Sequence, residues 1–219
     1  MTFYDEATSE RVELSVTTWA NWVAKASGLM ADLDLERGMR LRIDLPTHWL
    51  STVFLGAAWN LGLAVSDTDD PDAVVCGPAG LERWAGSTSS IAVLACSLRP
   101  LGARFTDALP SGVYDVGVEI WSQPDAFSPW DPPEDSDLAW DFADQRLSQS
   151  EMWATAVSGS AGDSRLLSVA NPASPPGIAS FIEPLSAGGS VVLVTHAGLA
   201  ELDPIRLEAI RVAERVVSD

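Results

Sequence analysis

Hydrophobic and polar positions follow two different periods along this chain. Residues 39–45 keep the two-residue period of a strand: Met39, Leu41, Ile43 and Leu45 fall on one face, and Arg40, Arg42 and Asp44 on the other. Before them, Trp19, Trp22, Val23, Ala26, Met30 and Leu33 recur at three- and four-residue steps, the stripe of an amphipathic helix. Ser15 or Thr17 can cap its start, and Gly38 turns the chain after it. Residues 2–15 predict a hairpin whose apolar ends flank a polar turn from Asp5 to Glu10. Pro46 and Thr47 open a second helix through Leu50, Val53, Phe54, Ala57 and Leu61. That helix is apolar nearly all round, which predicts burial, and Gly62 suits its C-cap.

Beyond it the apolar runs shorten. Leu63–Val65, Ala73–Cys76 and Ile91–Cys96 predict buried parallel strands, with a short helix over 79–85. Tyr114–Trp121 alternates and predicts an edge strand. Residues 122–139 hold four prolines and five acids and predict a long connection, after which a helix is expected from Trp140 to Val157. The last third alternates by element. A strand at 166–170 precedes a helix through Ile178, Phe181, Ile182 and Leu185 that ends at Gly188-Gly189. A β-branched strand at 191–195 then leads to a helix opened by Asp203 and Pro204 and running to about Val217. This order predicts an α/β fold with parallel sheets and right-handed crossovers. The expected organisation is a first α/β subdomain over 1–121, an acidic proline-rich connection over 122–139, and a second α/β segment over 140–219 packed on the first.

Charge narrows the partners. Thirteen basic residues against thirty-one acidic ones leave a formal charge of −18 over 219 residues. Phosphate neutralisation needs clustered Lys and Arg, so nucleic acid is excluded as a partner class, and anionic membrane surfaces with it. No run approaches the ~20 apolar residues of a membrane span, and no signal-peptide pattern is present. Cys76 and Cys96 lie in apolar runs, as buried reduced thiols do, and a cytoplasmic location is expected. Residues 105–145 carry ten acids and no Lys or Arg.

The succession Leu14-Ser15 before an amphipathic helix, then Gly38-Met39-Arg40-Leu41-Arg42-Ile43-Asp44-Leu45-Pro46, then an apolar helix ending in Leu61-Gly62-Leu63-Ala64-Val65, resembles the N-terminal part of adenylate-forming enzymes. Asp163 to Pro172, followed by Gly177 and Leu185 to Val194, is similar to that superfamily's strand–loop–helix–strand segment. Ala213-Glu214-Arg215-Val216 is similar to the stretch that follows it. The whole looks like a small actinobacterial family of truncated, AMP-binding-like, acyl-CoA synthetase-like proteins. The resemblance implies a parallel-sheet fold. It also implies a Ser/Thr/Gly-rich phosphate loop ending in Pro-Lys, before the helix that precedes the Leu166 strand. The acidic 122–139 segment stands in the expected place, where its carboxylates would repel a triphosphate. The histidine usual after the Leu166-type strand has no counterpart in Pro172–Pro176, and the motifs for adenine, ribose and magnesium would lie beyond Asp219.

The remaining phosphate-loop candidate is Ser158, Gly159, Ser160, Gly162 and Arg165; a flexible helix-to-strand turn is the plainer reading of the same residues. Asp67, Asp69, Asp70 and Asp72 lack the Gly and Glu of a calcium loop and read as a solvated acidic loop. His48 sits near a helix start, and His196 follows a strand at the carboxyl end where α/β proteins place ligands. The two have no metal-binding spacing, so no metal is expected; the departures from the superfamily's motifs imply no cofactor and leave no catalytic residue assigned. Trp121, Trp130 and Trp140 flank the acidic segment and either anchor a partner or pin the segment to the body. The expectation is a non-catalytic pseudoenzyme that binds a protein or small-molecule partner. The alternative is a nucleotide- or acyl-binding enzyme with residual adenylation chemistry, completed in an oligomer.

Overall fold

The computed structural model describes residues 1–159, 163–195 and 203–216. The chain opens with a hairpin, β1 (Thr2–Asp5) and β2 (Glu10–Glu13), and continues into α1 (Val16–Asp32), β3 (Arg40–Asp44) and α2 (Trp49–Leu61). Then come β4 (Ala64–Ser66), β5 (Ala73–Cys76), α3 (Leu81–Trp84), β6 (Ala92–Ala95), β7 (Val113–Asp115) and α4 (Val116–Glu119). The rest is β8 (Leu138–Phe142), β9 (Gln145–Ser148), α5 (Gln149–Ser158), β10 (Arg165–Ser168), α6 (Pro175–Ser186), β11 (Ser190–Thr195) and α7 (Pro204–Ala213).

The strands form two sheets. The larger has the order β7-β6-β5-β3-β4-β8-β9, parallel apart from β9; the smaller has the order β10-β11-β1-β2, parallel apart from β2. The expected α/β class with parallel sheets is what the chain adopts. Sheet membership cuts across the division into 1–121, 122–139 and 140–219. The N-terminal hairpin pairs with β11, and β8 and β9 extend the larger sheet beside β4.

The two-residue period sorts the side chains. Leu41, Ile43, Val75 and Leu94 enter the main core with Phe3, Val12, Val191 and Leu193 of the smaller sheet, so one core joins both sheets. Val74, Cys76, Val93 and Ala95 point the other way, onto Trp84, while Tyr4, Val192 and Val194 face Ile210 of α7. The polar face of β3 is bridged by salt and hydrogen bonds. Arg40 pairs with Asp72, Arg42 pairs with Asp69, and Trp84 donates its Nε1 to Asp44 at 2.6 Å. The acidic loop over 67–72 thus answers arginines of β3. Eleven of the thirteen residues of α2 are buried, which explains a helix with no polar face. Gly62 closes it in the left-handed conformation.

Three elements depart from expectation. Tyr114–Trp121 is not a strand throughout: Asp115 accepts from Gly117 N–H at 2.9 Å and from Phe105 N–H at 3.0 Å, ending β7 and capping α4. Alternation alone could not show that cap. The helix expected over 140–157 starts at Gln149; before it β8 and β9 pair across a tight turn at Ala143-Asp144. The start is fixed by Ser148, whose Oγ accepts from Glu151 N–H while the Glu151 carboxylate accepts from Ser148 N–H. The second helix is capped by His48 in place of Pro46 or Thr47.

Candidate functional site

In open parallel sheets ligands sit outside the carboxyl ends of the strands. Here the carboxyl ends of β3 and β10 meet. Asn171 Nδ2 donates to the Leu45 carbonyl at 2.7 Å, and Thr47 Oγ1 donates to the Val169 carbonyl at 3.3 Å. His48 lies beside this junction, 4% exposed, with its ring 4.7 Å from Phe3 and 5.7 Å from Trp49. Its Nδ1 accepts the Leu50 N–H at 3.2 Å, which leaves the proton of the neutral ring on Nε2. Burial pushes its pKa down to about 4, opposed by the charge of Asp5. Glu10 pairs with Asp5 across the hairpin, and burial raises its carboxyl pKa, opposed by the Leu101 N–H. His48 Nε2, Trp49 Nε1 and Glu10 Oε1 are buried without a partner among the described residues, as atoms that bond ordered water or a ligand are. With Nδ1 engaged and Nε2 protonated, His48 is a hydrogen-bond donor here and no metal ligand. Among the described residues no group of three or more His, Cys, Asp or Glu side chains is arranged to hold a metal ion.

The phosphate-loop candidates do not form a cradle. Ser158 Oγ donates back to the Thr155 carbonyl at 3.2 Å. Gly159 ends α5 against Glu183, so closely that a Cβ there would lie 2.2 Å from the Glu183 carboxyl carbon. Arg165 is held in β10, where it donates to Ser190 Oγ at 2.9 Å, to Thr2 Oγ1 at 2.7 Å and to Glu214. Glu214, with a side chain 8% exposed, also accepts from Tyr4 at 2.6 Å and Arg11 at 2.8 Å. Burial alone would raise its pKa, but the bonds from Tyr4, Arg11 and Arg165 outweigh this and hold it at about 2. Arg165 therefore serves as a clamp between β10 and the end of α7. Ser160, Gly162 and His196 lie outside the described residues.

The acidic connection lies elsewhere than expected. Lys25 bonds the Gln123 carbonyl at 2.5 Å and Asp125 at 2.9 Å, and Arg37 pairs with Asp131, Glu134 and Asp137. Phe127 packs on the main core. These contacts place the segment along the second half of α1 and the amino end of β3, away from the carboxyl-end junction. Its position follows from charge: Lys25 and Arg37 draw it there. The flanking tryptophans divide. Trp140 is fully buried and stacks on Phe142, Trp121 leans on Trp22 with half its surface exposed, and Trp130 is fully exposed. The burial of Trp140 is hidden in the sequence, where the residue adjoins the acidic connection. Cys76 and Cys96 are free and buried, and burial pushes the Cys76 thiol up to about 12.

A concavity of about 450 Å³ opens between α1, α2, α5 and α6. Trp19, Trp59 and Trp153 wall it with Met152, Ile182 and Leu185, and Asn60 and Gln149 are among its polar members. Sequence reasoning missed it because its walls come from four helices, each readable alone as a core stripe.

No family model matches the chain. Its sequence is 34% identical, over 224 aligned positions, to a TIGR03089 family protein of Mycobacterium tuberculosis, an alignment covering 99% of this chain and 88% of the relative. The chain belongs to that family. Solved structures with this fold include an acyl-CoA synthetase of Brucella canis, with TM-score 0.81 and 16% identity, covering 99% of this chain and 43% of that one. MatB of Rhodopseudomonas palustris follows with TM-score 0.69 and 15% identity over 97% of this chain and 44% of its own. The amide bond synthetase McbA of Marinactinospora thermotolerans gives TM-score 0.66 and 18% identity over 93% and 42%. At these identities the likeness is one of fold. The TIGR03089 family chain thus spans less than half the length of these solved structures. Among its described residues no helix is long and apolar enough to cross a membrane.

Proposed function

We propose that this chain is a non-catalytic member of the adenylate-forming fold that acts by binding a partner or a small molecule. The observation that carries this reading is the segment ahead of α5. The resemblance expects a glycine- and hydroxyl-rich phosphate loop before the helix that precedes β10. That helix is α5, and ahead of it stands the hairpin of β8 and β9, closed by Ala143 and the exposed Asp144. Adenylation concentrates charge on phosphate oxygens, and its stabilisation takes amides and cations aimed at them. A two-residue turn has too few amides to cradle a triphosphate, Asp144 adds a carboxylate, and the nearby Arg146 is paired with Asp141 at 2.9 Å. Arg165, the cation left in the alternative loop, is engaged by Glu214. This turn replaces the acidic 122–139 segment as the reason for the reading.

A second reading, a nucleotide- or acyl-binding enzyme completed in an oligomer, draws support from the unpartnered His48, Trp49 and Glu10 atoms at the carboxyl edge. Pyrophosphate exchange into ATP separates the two. Purified protein, supplied with a panel of carboxylic acids and magnesium, is expected to show exchange at the no-enzyme rate and no rise in Tm with millimolar ATP. Acid-dependent exchange would overturn the proposal and favour the second reading.

A further inference from the structure

The groove between α1, α2, α5 and α6 is shaped for a ligand. Its floor is set by Gly56, where α1 and α2 approach so closely that a Cβ would lie 2.9 Å from Val23 and 3.1 Å from Trp19. Trp19 is fixed by donation from its Nε1 to Thr52 Oγ1 at 3.2 Å and by an edge contact with Phe181 at 5.8 Å. Trp59 is fixed by donation to the Ala139 carbonyl at 3.1 Å. Trp153 stands at the rim with 63% of its surface exposed. Two of the aromatic walls, Trp19 and Trp59, are therefore held in place, and the volume of about 450 Å³ falls within the ~300–1,000 Å³ of small-molecule pockets.

Its polar groups set the chemistry of the occupant. Among the described residues no Asp, Glu, Lys or Arg lines the groove, although the chain carries a formal charge of −18. Gln149 Nε2 donates to the Trp59 carbonyl at 3.2 Å, and Asn60 Nδ2 donates to Ser27 Oγ at 3.3 Å. Ser27 in turn gives its own proton to the Val23 carbonyl at 2.9 Å, so Asn60 must be the donor to it. Both amides are thereby oriented, and their carbonyl oxygens accept no bond from the described residues. An aromatic slot with two amide acceptors and no charge selects an uncharged, flat apolar molecule that carries an N–H or O–H donor. A docked helix or a second copy of this acidic chain would bring charged flanks to a neutral cleft. We propose that this groove binds a small neutral aromatic or alicyclic ligand through Trp19, Trp59 and Trp153, with Asn60 and Gln149 accepting its donor. The inference deepens the binding function proposed above and rests on that reading for its biological sense.

N-phenyl-1-naphthylamine is the probe, since it is neutral, flat and bears one N–H. It should bind at one site per chain with micromolar Kd, accompanied by energy transfer from tryptophan. Its N-methyl derivative, which lacks the donor, and its 8-sulfonate, which adds a charge, should each bind at least tenfold more weakly. Ala20→Trp fills the groove from an exposed position and should abolish binding with the circular dichroism spectrum unchanged; Trp153→Ala should weaken it about tenfold. Gln149→Leu with Asn60→Leu should remove the preference for the N–H probe over its N-methyl derivative. Equal binding of all three probes, binding that survives Ala20→Trp, or self-association that Ala20→Trp abolishes would overturn the proposal. Pyrophosphate exchange is read on the unmodified protein without these probes, so a positive result there would leave this outcome legible.

Discussion

His48 joins a helix cap to the main core, and that combination sets how the protein responds to acid. Burial holds the folded pKa at about 4 against an ordinary value of 6.5. As pH falls the unfolded chain takes the proton first, so the contribution of the neutral ring is complete above pH 6.5 and is lost as pH falls toward 4, about 3 kcal/mol in all. His48→Asn keeps a capping acceptor and removes the titration. In urea melts at pH 7 and pH 4 the unmodified protein should lose about 3 kcal/mol more than the variant; equal losses would show that His48 does not titrate on unfolding. Glu214 behaves in the same direction for a different reason. Its depressed pKa means that its contribution is present above the ordinary carboxyl range and fades as pH falls toward about 2. Glu214→Gln should cost about 2 kcal/mol at pH 7 by leaving Arg165 and Arg11 without their anion. A change below about 0.5 kcal/mol in denaturant melts would place the clamp among ordinary surface pairs. A polar residue at a helix start was legible at His48. Its burial was not, because Phe3 reaches it from the other sheet.

At the scale of elements, local signals were reliable and long-range pairing was not. Ser15, Gly62 and Asp203 mark helix ends in the sequence and mark them in the fold. Ser148 with Glu151 carried an equally clear start signal, but the apolar run Leu138–Phe142 had invited a longer helix. Its strand character comes from pairing with β4, seventy-five residues earlier. Ser148→Ala should destabilise by about 1 kcal/mol in thermal or urea melts, the cost of a lost cap. The acidic connection is held by Lys25, by Arg37 and by the packing of Phe127 on the core. Arg37→Ala should therefore speed proteolytic cutting within 123–137 severalfold and change global stability by less than about 1 kcal/mol. A global loss of several kcal/mol, or no change in cutting, would contradict the way its position is explained here.

The whole molecule shows why fold and function were unequally readable. Alternating strands and helices announced a parallel α/β chain, because each buried strand writes its own apolar run. That the first hairpin would join β11 was beyond any local pattern, since the pairing closes over nearly the entire chain. The candidate site was harder still. Nothing near Arg165 in the sequence shows that Glu214 and Thr2 engage it, and the groove has no linear motif at all. The central claim is that the turn at Ala143-Asp144, standing where a phosphate loop is expected, leaves this member of the TIGR03089 family without a nucleotide site. Isothermal titration of the full chain with magnesium ATP tests this most directly. The account predicts no saturable heat up to millimolar nucleotide, whereas a one-site isotherm with a Kd in the micromolar range would contradict it.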